Sequence, residues 1–258
     1  MSLKTNKSLG QHWLHDAQVI TRIAQACLPT GTTSVVEIGP GTGALTKALL
    51  GMGATVTVVE VDDRCATLLE GWAECGTGQL TVIRADALQA EWPQLLATSG
   101  AQAVVGNLPY NVGTEITARL LTLPKPPARL VFLLQKEVVQ RLTAAPNTRH
   151  WGRLGVLADL LANRRQLFTV GKGAFSPPPK VESAVVELIP LPAPRFAVPM
   201  PKLDALLRAG FGQRRKMLRS ALKGLLTETQ IQSAAIAPTA RAETLGTAQL
   251  CQLANLLA

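Results

Sequence analysis

The chain of 258 residues is 47% hydrophobic, which allows one large domain or a large and a small domain and excludes a disordered protein. Its formal net charge of +9 predicts an anionic partner, either nucleic acid or a membrane surface. No apolar run is long enough to span a membrane, and no hydrophobic segment follows Lys4 and Lys7 as in a signal peptide, so we expect a cytoplasmic protein.

Predicted helices and strands alternate along the first half of the chain. The segment "DAQVITRIAQACL" is expected to form a helix with Asp16 as its N-cap, because its apolar residues recur at helical spacing. Buried strands are expected over "TSVVEIG", "ATVTVVEVD", "LTVIRAD" and "QAVVGN". Helices are expected over "GALTKALLGMG" and "DRCATLLEGWAE", and a short helical turn over "EWPQLLAT".

The alternation continues downstream. Helices are expected over "TEITARLLT", "KEVVQRLTA" and "GRLGVLADLLA", and strands over "ARLVFLLQ", "RRQLFTV" and "VESAVVELI". Strands that alternate with helices predict an α/β fold with a mostly parallel, doubly wound sheet of the Rossmann-like type.

The Pro-rich segment 190–201 is the best candidate for a linker, because helical periodicity replaces the strand pattern beyond it. We therefore predict a domain over 1–194 and a small helical domain over 195–258. The second domain has nine Lys or Arg against three acids, a net charge of +6, whereas residues 1–194 carry only +3. The tail is predicted to be a basic module that binds the anionic partner.

No metal site is expected from the cysteine and histidine pattern. The four cysteines are scattered without a C-x-x-C pair, which fits reduced thiols. His12 and His15 have no carboxylate or thiol near them in sequence.

Glycines follow the first predicted β-strand of the alternating series. In "VVEIGPGTGALT", Gly39, Gly41 and Ala44 make a G-x-G-x-x-A loop at the start of a helix, where the backbone turns tightly and approaches a ligand closely. The loop predicts a nucleotide-like cofactor. By itself it does not separate a nicotinamide dinucleotide from S-adenosylmethionine.

Polar side chains also end the next three strands. Glu60 lies 21 residues after Gly39, where a carboxylate accepts both ribose hydroxyls of a bound nucleoside. Asp86 ends the third strand and Asn107 the fourth. Because the carboxyl ends of parallel strands share one edge of the sheet, these residues are expected to form one site.

The fourth strand stops at Asn107, Leu108, Pro109 and Tyr110, a rigid loop that presents an amide and an aromatic ring. The Asn107 side chain and the Leu108 carbonyl are candidate acceptors that hold an exocyclic amine for methylation, with Tyr110 stacking on the base. Such a base must be single-stranded or flipped out of its helix. No general base is required, because the methylated nitrogen is acidic enough to lose its proton to water.

The tail segment "FGQRRKMLRSALKGLL" is predicted to form one helix. Its apolar residues fall on one side and its basic residues on a neighbouring arc, while Arg214 lies on the apolar edge and does not fit. The apolar side consists of Phe211, Leu218, Leu222 and Leu225, and the basic arc consists of Arg215, Lys216, Arg219 and Lys223. We predict that the arc binds the phosphates of a nucleic-acid partner.

The motifs "EIGPGTGALT", "VVEVD", "RADAL", "GNLPYNV", "LLQKEVV", "GRLGV", "AFSPPPKVESAVV" and "FGQRRKMLRSAL" occur in the order in which they occur in a known family. Over about residues 8–257 the chain resembles the KsgA/Dim1 family of ribosomal RNA adenine dimethyltransferases. The most specific of these motifs are N-L-P-Y and the F-x-P-P-P-K-V-x-S run.

The resemblance implies roles for individual residues. It implies that S-adenosylmethionine binds to Gly39 and its loop, to Glu60 through the ribose, to Asp86 through the adenine amine and to Asn107. It also implies that an amino-terminal motif closes over the methionine end of the cofactor and that a second aromatic residue lies near the target base. The motif residues are Gln11, His12 and Leu14, and the aromatic residue is Phe175. The chain departs from the family here, with "LGQHWL" where F-G-Q-N-F-L is usual.

The implied function is dimethylation of N6 at two adjacent adenines near the 3' end of small-subunit (16S) ribosomal RNA during ribosome biogenesis, by a monomer. One alternative is a large-subunit ribosomal RNA dimethyltransferase of the antibiotic-resistance type, against which "AFSPPPKVESAVV" and the basic tail argue. DNA and protein-glutamine methyltransferases share the Asn-x-Pro-Tyr loop but do not need this tail. The alternative from another class is an RNA-binding assembly or transcription factor without activity, against which the complete set of cofactor residues argues.

Overall fold

The structure is a computed structural model that describes residues 3, 5, 10–29, 31–109 and 112–257. The described β-strands are β1 (Trp13–Leu14), β2 (Ser34–Ile38), β3 (Thr55–Glu60), β4 (Leu80–Arg84), β5 (Ala103–Asn107), β6 (Arg129–Gln135), β7 (Ala162–Val170), β8 (Phe175–Ser176) and β9 (Ser183–Pro190). The described α-helices are α1 (Ala17–Cys27), α2 (Ala44–Gly51), α3 (Asp63–Glu70), α4 (Ala73–Gly76), α5 (Trp92–Ser99), α6 (Gly113–Leu121), α7 (Lys136–Leu142), α8 (Arg153–Leu161), α9 (Met200–Gly212), α10 (Leu218–Ala221), α11 (Glu228–Ser233) and α12 (Thr247–Asn255). Short 3-10 helices occupy Lys172–Ala174 and Ala242–Thr244.

The main sheet has the strand order β4-β3-β2-β5-β6-β9-β7. Strands β2 to β6 pair in parallel, whereas β6 and β9 are antiparallel. The chain runs outward from β2 through β3 to β4 and then returns to place β5 on the other side of β2. The carboxyl ends of β2 and β5 therefore flank the switch point at which open α/β sheets bind their ligands. The predicted α/β class, with a mostly parallel sheet, is confirmed.

The central strands are buried on both faces, as expected for parallel strands covered by helices. Val35, Val56 and Val105 are fully buried in the core that α1 and α2 share with the sheet. Gly106 allows β5 to approach β2 closely, because a Cβ there would lie 2.7 Å from the Ile38 carbonyl oxygen. A side chain at Gly106 would push apart the two strands whose ends form the switch point.

One predicted helix, over "DRCATLLEGWAE", is divided into α3 and α4. The chain leaves the helix at Trp72, whose backbone is extended with φ −79° and ψ 146°. The Trp72 ring packs beside Gly43, where a Cβ would lie 2.5 Å from its Cη2 atom. Packing against the glycine loop therefore interrupts a segment whose local pattern is helical.

Contacts divide the chain into two compact units. Unit 1 comprises Met1–Val139 and Arg164–Pro190, and unit 2 comprises Gln140–Asn163 and Leu191–Ala258. Residues 140–163, which the sequence analysis places in the domain 1–194, thus group with the tail. The reason is packing, because Trp151 is fully buried in the helical core of unit 2 and donates its indole N–H to the Leu245 carbonyl at 2.9 Å.

The single helix drawn over "FGQRRKMLRSALKGLL" is wrong. Helix α9 ends at Gly212 and α10 begins at Leu218, with an extended Met217 between them (φ −66°, ψ 152°). The Leu218 and Arg219 N–H groups donate to the Ala240 and Pro238 carbonyls, so long-range bonds replace helical ones. Leu218 and Leu222 are buried as predicted, whereas Leu225 is 38% exposed.

Within the described residues, none of the helices is both long and apolar enough to cross a membrane. The same residues contain no group of three or more His, Cys, Asp or Glu side chains that could hold a metal ion. The four cysteines are free thiols.

Candidate functional site

A cavity of about 260 Å³ opens in unit 1 at the carboxyl ends of β2, β3, β4 and β5. Most of the residues that the sequence analysis assigns to cofactor or target base lie on its wall. They are Gln11, His12, Gly39, Gly41, Glu60, Asp86, Asn107, Leu108 and Pro109. Residues from five separate segments are therefore brought together at the switch point of the sheet.

The glycine loop joins β2 to α2 and has a left-handed backbone at Gly39 (φ 64°) and Gly41 (φ 57°). The Gly39 N–H donates to the Val59 carbonyl at 2.9 Å, and the Gly41 N–H donates to Glu60 Oε2 at 3.1 Å. A Cβ at Gly39 would meet no described atom within 4 Å, so the backbone there borders open space. The loop thus lets a ligand approach the main chain closely.

Glu60 ends β3 and is 4% exposed. Its Oε1 accepts the Asp62 N–H at 2.8 Å, so main-chain donors hold both carboxylate oxygens. Burial raises the pKa of Glu60, while the N–H groups of Asp62, Gly41 and Val61 oppose this shift. The carboxylate is oriented by the protein on the wall of the cavity.

Asp86 follows β4, is half-buried and accepts the Leu88 N–H through Oδ1 at 2.8 Å. None of the described lining residues is Lys or Arg, although the chain is basic. Two carboxylates without a cation suit a nucleoside that is neutral or cationic and disfavour a pyrophosphate. The lining therefore fits S-adenosylmethionine better than a nicotinamide dinucleotide, a choice that the glycine loop alone leaves open.

Asn107 is the last residue of β5, and its Nδ2 donates to the His12 carbonyl oxygen at 2.8 Å. Because a carbonyl only accepts, this bond fixes which end of the amide is nitrogen. The Oδ1 atom has no partner among the described residues and is available to an incoming N–H donor. Leu108 is buried, and the Pro109 carbonyl accepts the N–H groups of Val112 and Gly113 at the start of α6. Tyr110 lies outside the described residues, so its predicted stacking role stays a prediction.

The amino-terminal motif is anchored to three parts of unit 1. Gln11 Nε2 donates to Asp62 Oδ2 at 2.9 Å, and His12 Nδ1 contacts the Pro177 carbonyl oxygen at 2.8 Å. The third anchor is the bond from Asn107 to the His12 carbonyl. These contacts join segments more than fifty residues apart in sequence, so sequence spacing could not reveal them.

Asp62 was missed by the sequence analysis. It accepts hydrogen bonds from Gln11 and from Arg64, and its own N–H holds Glu60. The Arg64 guanidinium, 2.6 Å away, lowers the pKa of Asp62 to about 2. Its position as N-cap of α3 was the available signal, since Asp before an amphipathic run favours a helix start.

Two predicted site residues do not line the cavity. Leu14 and Phe175 are 7% and 3% exposed, belong to the core of unit 1 and face each other across the β1–β8 pair. Phe175 is packed in the core in this structure, and its place near the target base stays a prediction. Leu14 holds the amino-terminal motif in position, because it pairs with Phe175 of β8.

The buried acid Glu37 lies just before the glycine loop, and its protonation affects the stability of the fold. Glu37 is 2% exposed, and burial raises its pKa to about 8 although the Thr46 hydroxyl donates to it at 2.6 Å. Between its ordinary value near 4.5 and about 8, the folded state keeps a proton that the unfolded chain has lost, so stability falls as pH rises. Glu37→Gln should therefore raise the free energy of unfolding at pH 8 by about 1 to 2 kcal/mol relative to the parent, with little difference near pH 4. Urea denaturation at both pH values measures this, and an equal effect at the two values would contradict it.

The four predicted RNA-binding residues are exposed in unit 2. Arg215 and Lys216 lie in the turn after α9, whereas Arg219 and Lys223 lie in and after α10. The described residues provide no hydrogen-bond or ion-pair partner for these four side chains. Arg214, which lies on the apolar edge of the predicted helix, forms an ion pair with Glu243 at 3.0 Å. These cations have no partner among the described residues, and they do not form one helical arc.

Comparison with known proteins places this geometry in a family. The model of the family described as "Ribosomal RNA adenine dimethylase" matches residues 2–258. A relative from Phenylobacterium zucineum, named "Ribosomal RNA small subunit methyltransferase A", is 46% identical over 257 residues, with 98% of this chain and 88% of that protein covered. A dimethyladenosine transferase from Plasmodium falciparum has the same fold, with a TM-score of 0.75, 24% identity and coverage of 94% of this chain and 96% of that one. The 23S rRNA methyltransferase ErmE gives a TM-score of 0.72 at 25% identity and covers 95% of this chain and 99% of that one. A family match over nearly the whole chain, together with a relative at 46% identity, shows that this protein belongs to the ribosomal RNA adenine dimethylase family.

Proposed function

We propose that this protein transfers methyl groups from S-adenosylmethionine to N6 of two adjacent adenines near the 3' end of small-subunit (16S) ribosomal RNA. One observation carries the proposal. Asn107 lies on the wall of the same cavity as Glu60 and Asp86, with its amide nitrogen held by the His12 carbonyl and its oxygen available. The name of the Phenylobacterium relative supports the small subunit as the substrate.

The cofactor would lie along the strand ends. Glu60 would accept the ribose hydroxyls and Asp86 the adenine amine, while the backbone at Gly39 would allow close approach; all three residues line the cavity. S-adenosylmethionine, when bound, supplies an electrophilic methyl group on a sulfonium sulfur. The two buried or half-buried carboxylates make the cavity favourable for a ligand with positive charge.

The chain's own contribution to the transfer is to position an amine. An adenine amine has its lone pair drawn into the ring, so acceptors that take its N–H groups favour the pyramidal geometry that points the lone pair at the methyl. Asn107 Oδ1 is one such acceptor and the Leu108 carbonyl is the second. After transfer the nitrogen is acidic enough to release its proton to water, and no side chain need act as base.

The exposed cations of unit 2 would bind phosphates of the ribosomal RNA. Replacing Arg215, Arg219 and Lys223 by Ala should flatten the plot of log affinity against log salt concentration by about two units, because each lost phosphate contact removes about 0.7 to 0.9. Affinity for small subunits should fall while affinity for S-adenosylmethionine stays unchanged. Filter binding over a salt series measures this.

A matched control for that experiment is Arg208→Ala. Arg208 is also an exposed cation of unit 2, but it pairs with Asp204 at 2.6 Å and is predicted to make no phosphate contact. If the triple variant keeps the salt dependence of the parent, these side chains are ordinary solvated surface and the RNA-binding face lies elsewhere.

The activity itself is tested by one assay. Tritiated methyl groups from S-adenosylmethionine are offered to undermethylated small ribosomal subunits, to large subunits and to DNA. We expect transfer to the small subunits and recovery of N6,N6-dimethyladenosine from their RNA. Transfer to large subunits alone would favour a large-subunit dimethyltransferase of the antibiotic-resistance type. The 23S rRNA methyltransferase ErmE has a fold similar to that of this chain. Binding to small subunits without transfer to any substrate would favour an inactive assembly factor.

A further inference from the structure

Two hydrogen bonds of His12 join it to two separate segments of unit 1. Its backbone carbonyl accepts the Asn107 Nδ2–H at 2.8 Å, and its imidazole Nδ1 lies 2.8 Å from the Pro177 carbonyl oxygen. The carbonyl of Pro177 has no proton to give, so the Nδ1 atom must carry one and donate it. One residue thus connects the strand end that positions the amine to the Pro-rich loop that follows β8.

An Asn at position 12, which the resemblance implies for the family, would offer the same kind of donor as His12. In both side chains a nitrogen is bonded to Cγ, and so the imidazole Nδ1–H and the amide Nδ2–H reach the same place relative to the backbone. The donor to the Pro177 carbonyl is preserved although the residue differs.

We propose that His12 is a positioning residue for Asn107 and not a side-chain ligand of the cofactor. This inference rests on the proposed function. The bond from Nδ1 to Pro177 fixes the backbone of residue 12 beside β8, and the His12 carbonyl then fixes the Asn107 amide with its oxygen toward the amine. Without the Nδ1 donor, the carbonyl of residue 12 is less restrained, and the geometry at the amine is degraded while the cofactor contacts of Glu60 and Asp86 remain.

The test compares the parent protein with His12→Asn and His12→Leu. His12→Asn keeps the donor, whereas His12→Leu has similar bulk and no donor. We expect His12→Asn to methylate small subunits in a single turnover within about threefold of the parent, and His12→Leu to be slower by roughly tenfold or more, as for other losses of positioning. Calorimetry should give S-adenosylmethionine affinities within about threefold for all three proteins.

Two results would overturn the inference while the proposed function stands. One is a His12→Leu variant as fast as His12→Asn, and the other is a loss of cofactor affinity as large as the loss of rate. A parent protein that methylates none of the substrates would instead overturn the proposed function and the inference with it. Nitrogen-15 NMR of the parent's imidazole groups is independent of variant folding, and an unprotonated Nδ1 at His12 would refute the contact.

Discussion

Replacing Asn107 by Ala is expected to lower the single-turnover rate of methyl transfer by about 100-fold or more with saturating small subunits. The substitution removes the amide oxygen that would accept the adenine N–H and also the Nδ2 donor that holds the His12 carbonyl. Affinity for small subunits should change little, because phosphate contacts supply most of it. The measurement is rapid quenching with radioactive cofactor, accompanied by filter binding.

Asn255→Ala is a matched control for this prediction. Asn255 also donates its Nδ2 to a backbone carbonyl, that of Ala197 at 3.0 Å, but it lies in unit 2 and has no predicted role in the chemistry. A normal rate for Asn107→Ala would show that the "NLPY" loop does not position the amine.

Replacing Glu60 by Ala is expected to cost about 2 to 4 kcal/mol of affinity for S-adenosylmethionine, the scale of hydrogen bonds to a charged group. The carboxylate would accept two ribose hydroxyls, and it already accepts the N–H groups of Gly41 and Asp62. The variant therefore loses ligand contacts and also releases the glycine loop, and so its melting temperature should fall as well. Calorimetric titration below the unfolding transition separates the two effects.

The control for Glu60 is Asp63→Ala. Asp63 is an acid three residues away whose side chain is 83% exposed and pairs with Arg84. Its loss changes the net charge by the same amount without touching the cavity, so cofactor affinity should stay at the parent value. If Glu60→Ala bound the cofactor as tightly as Asp63→Ala does, Glu60 would not hold the ribose.

The strands and the residues at their ends were predictable for a local reason. Each strand from β2 to β5 is short, contains β-branched residues and stops at or just before a polar or glycine residue, as in β2 before Gly39 and β5 at Asn107. Since parallel strands end at one edge of their sheet, finding the ends in sequence was enough to predict that Gly39, Glu60, Asp86 and Asn107 meet.

The errors arose where distant contacts override the local pattern. The segment 211–226 has helical periodicity, but the N–H groups of Leu218 and Arg219 bond to carbonyls about twenty residues later, which breaks the helix. The role of Asp62 depends on Gln11, 51 residues away. Hydrophobic periodicity describes a single segment of the chain, and so it cannot identify contact partners that are distant in sequence.

The glycine loop is also held in place by its own hydrogen bonds. The N–H groups of Gly39, Gly41 and Gly43 all donate within the protein, to Val59, Glu60 and Pro40. These three N–H groups therefore donate to the protein and not to a ligand. Loops that bind a phosphate differ, because their N–H groups have no partner in the protein. Because the loop is ordered by folding, binding need not restrict its backbone, and the entropy loss that accompanies ordering of a flexible loop is avoided.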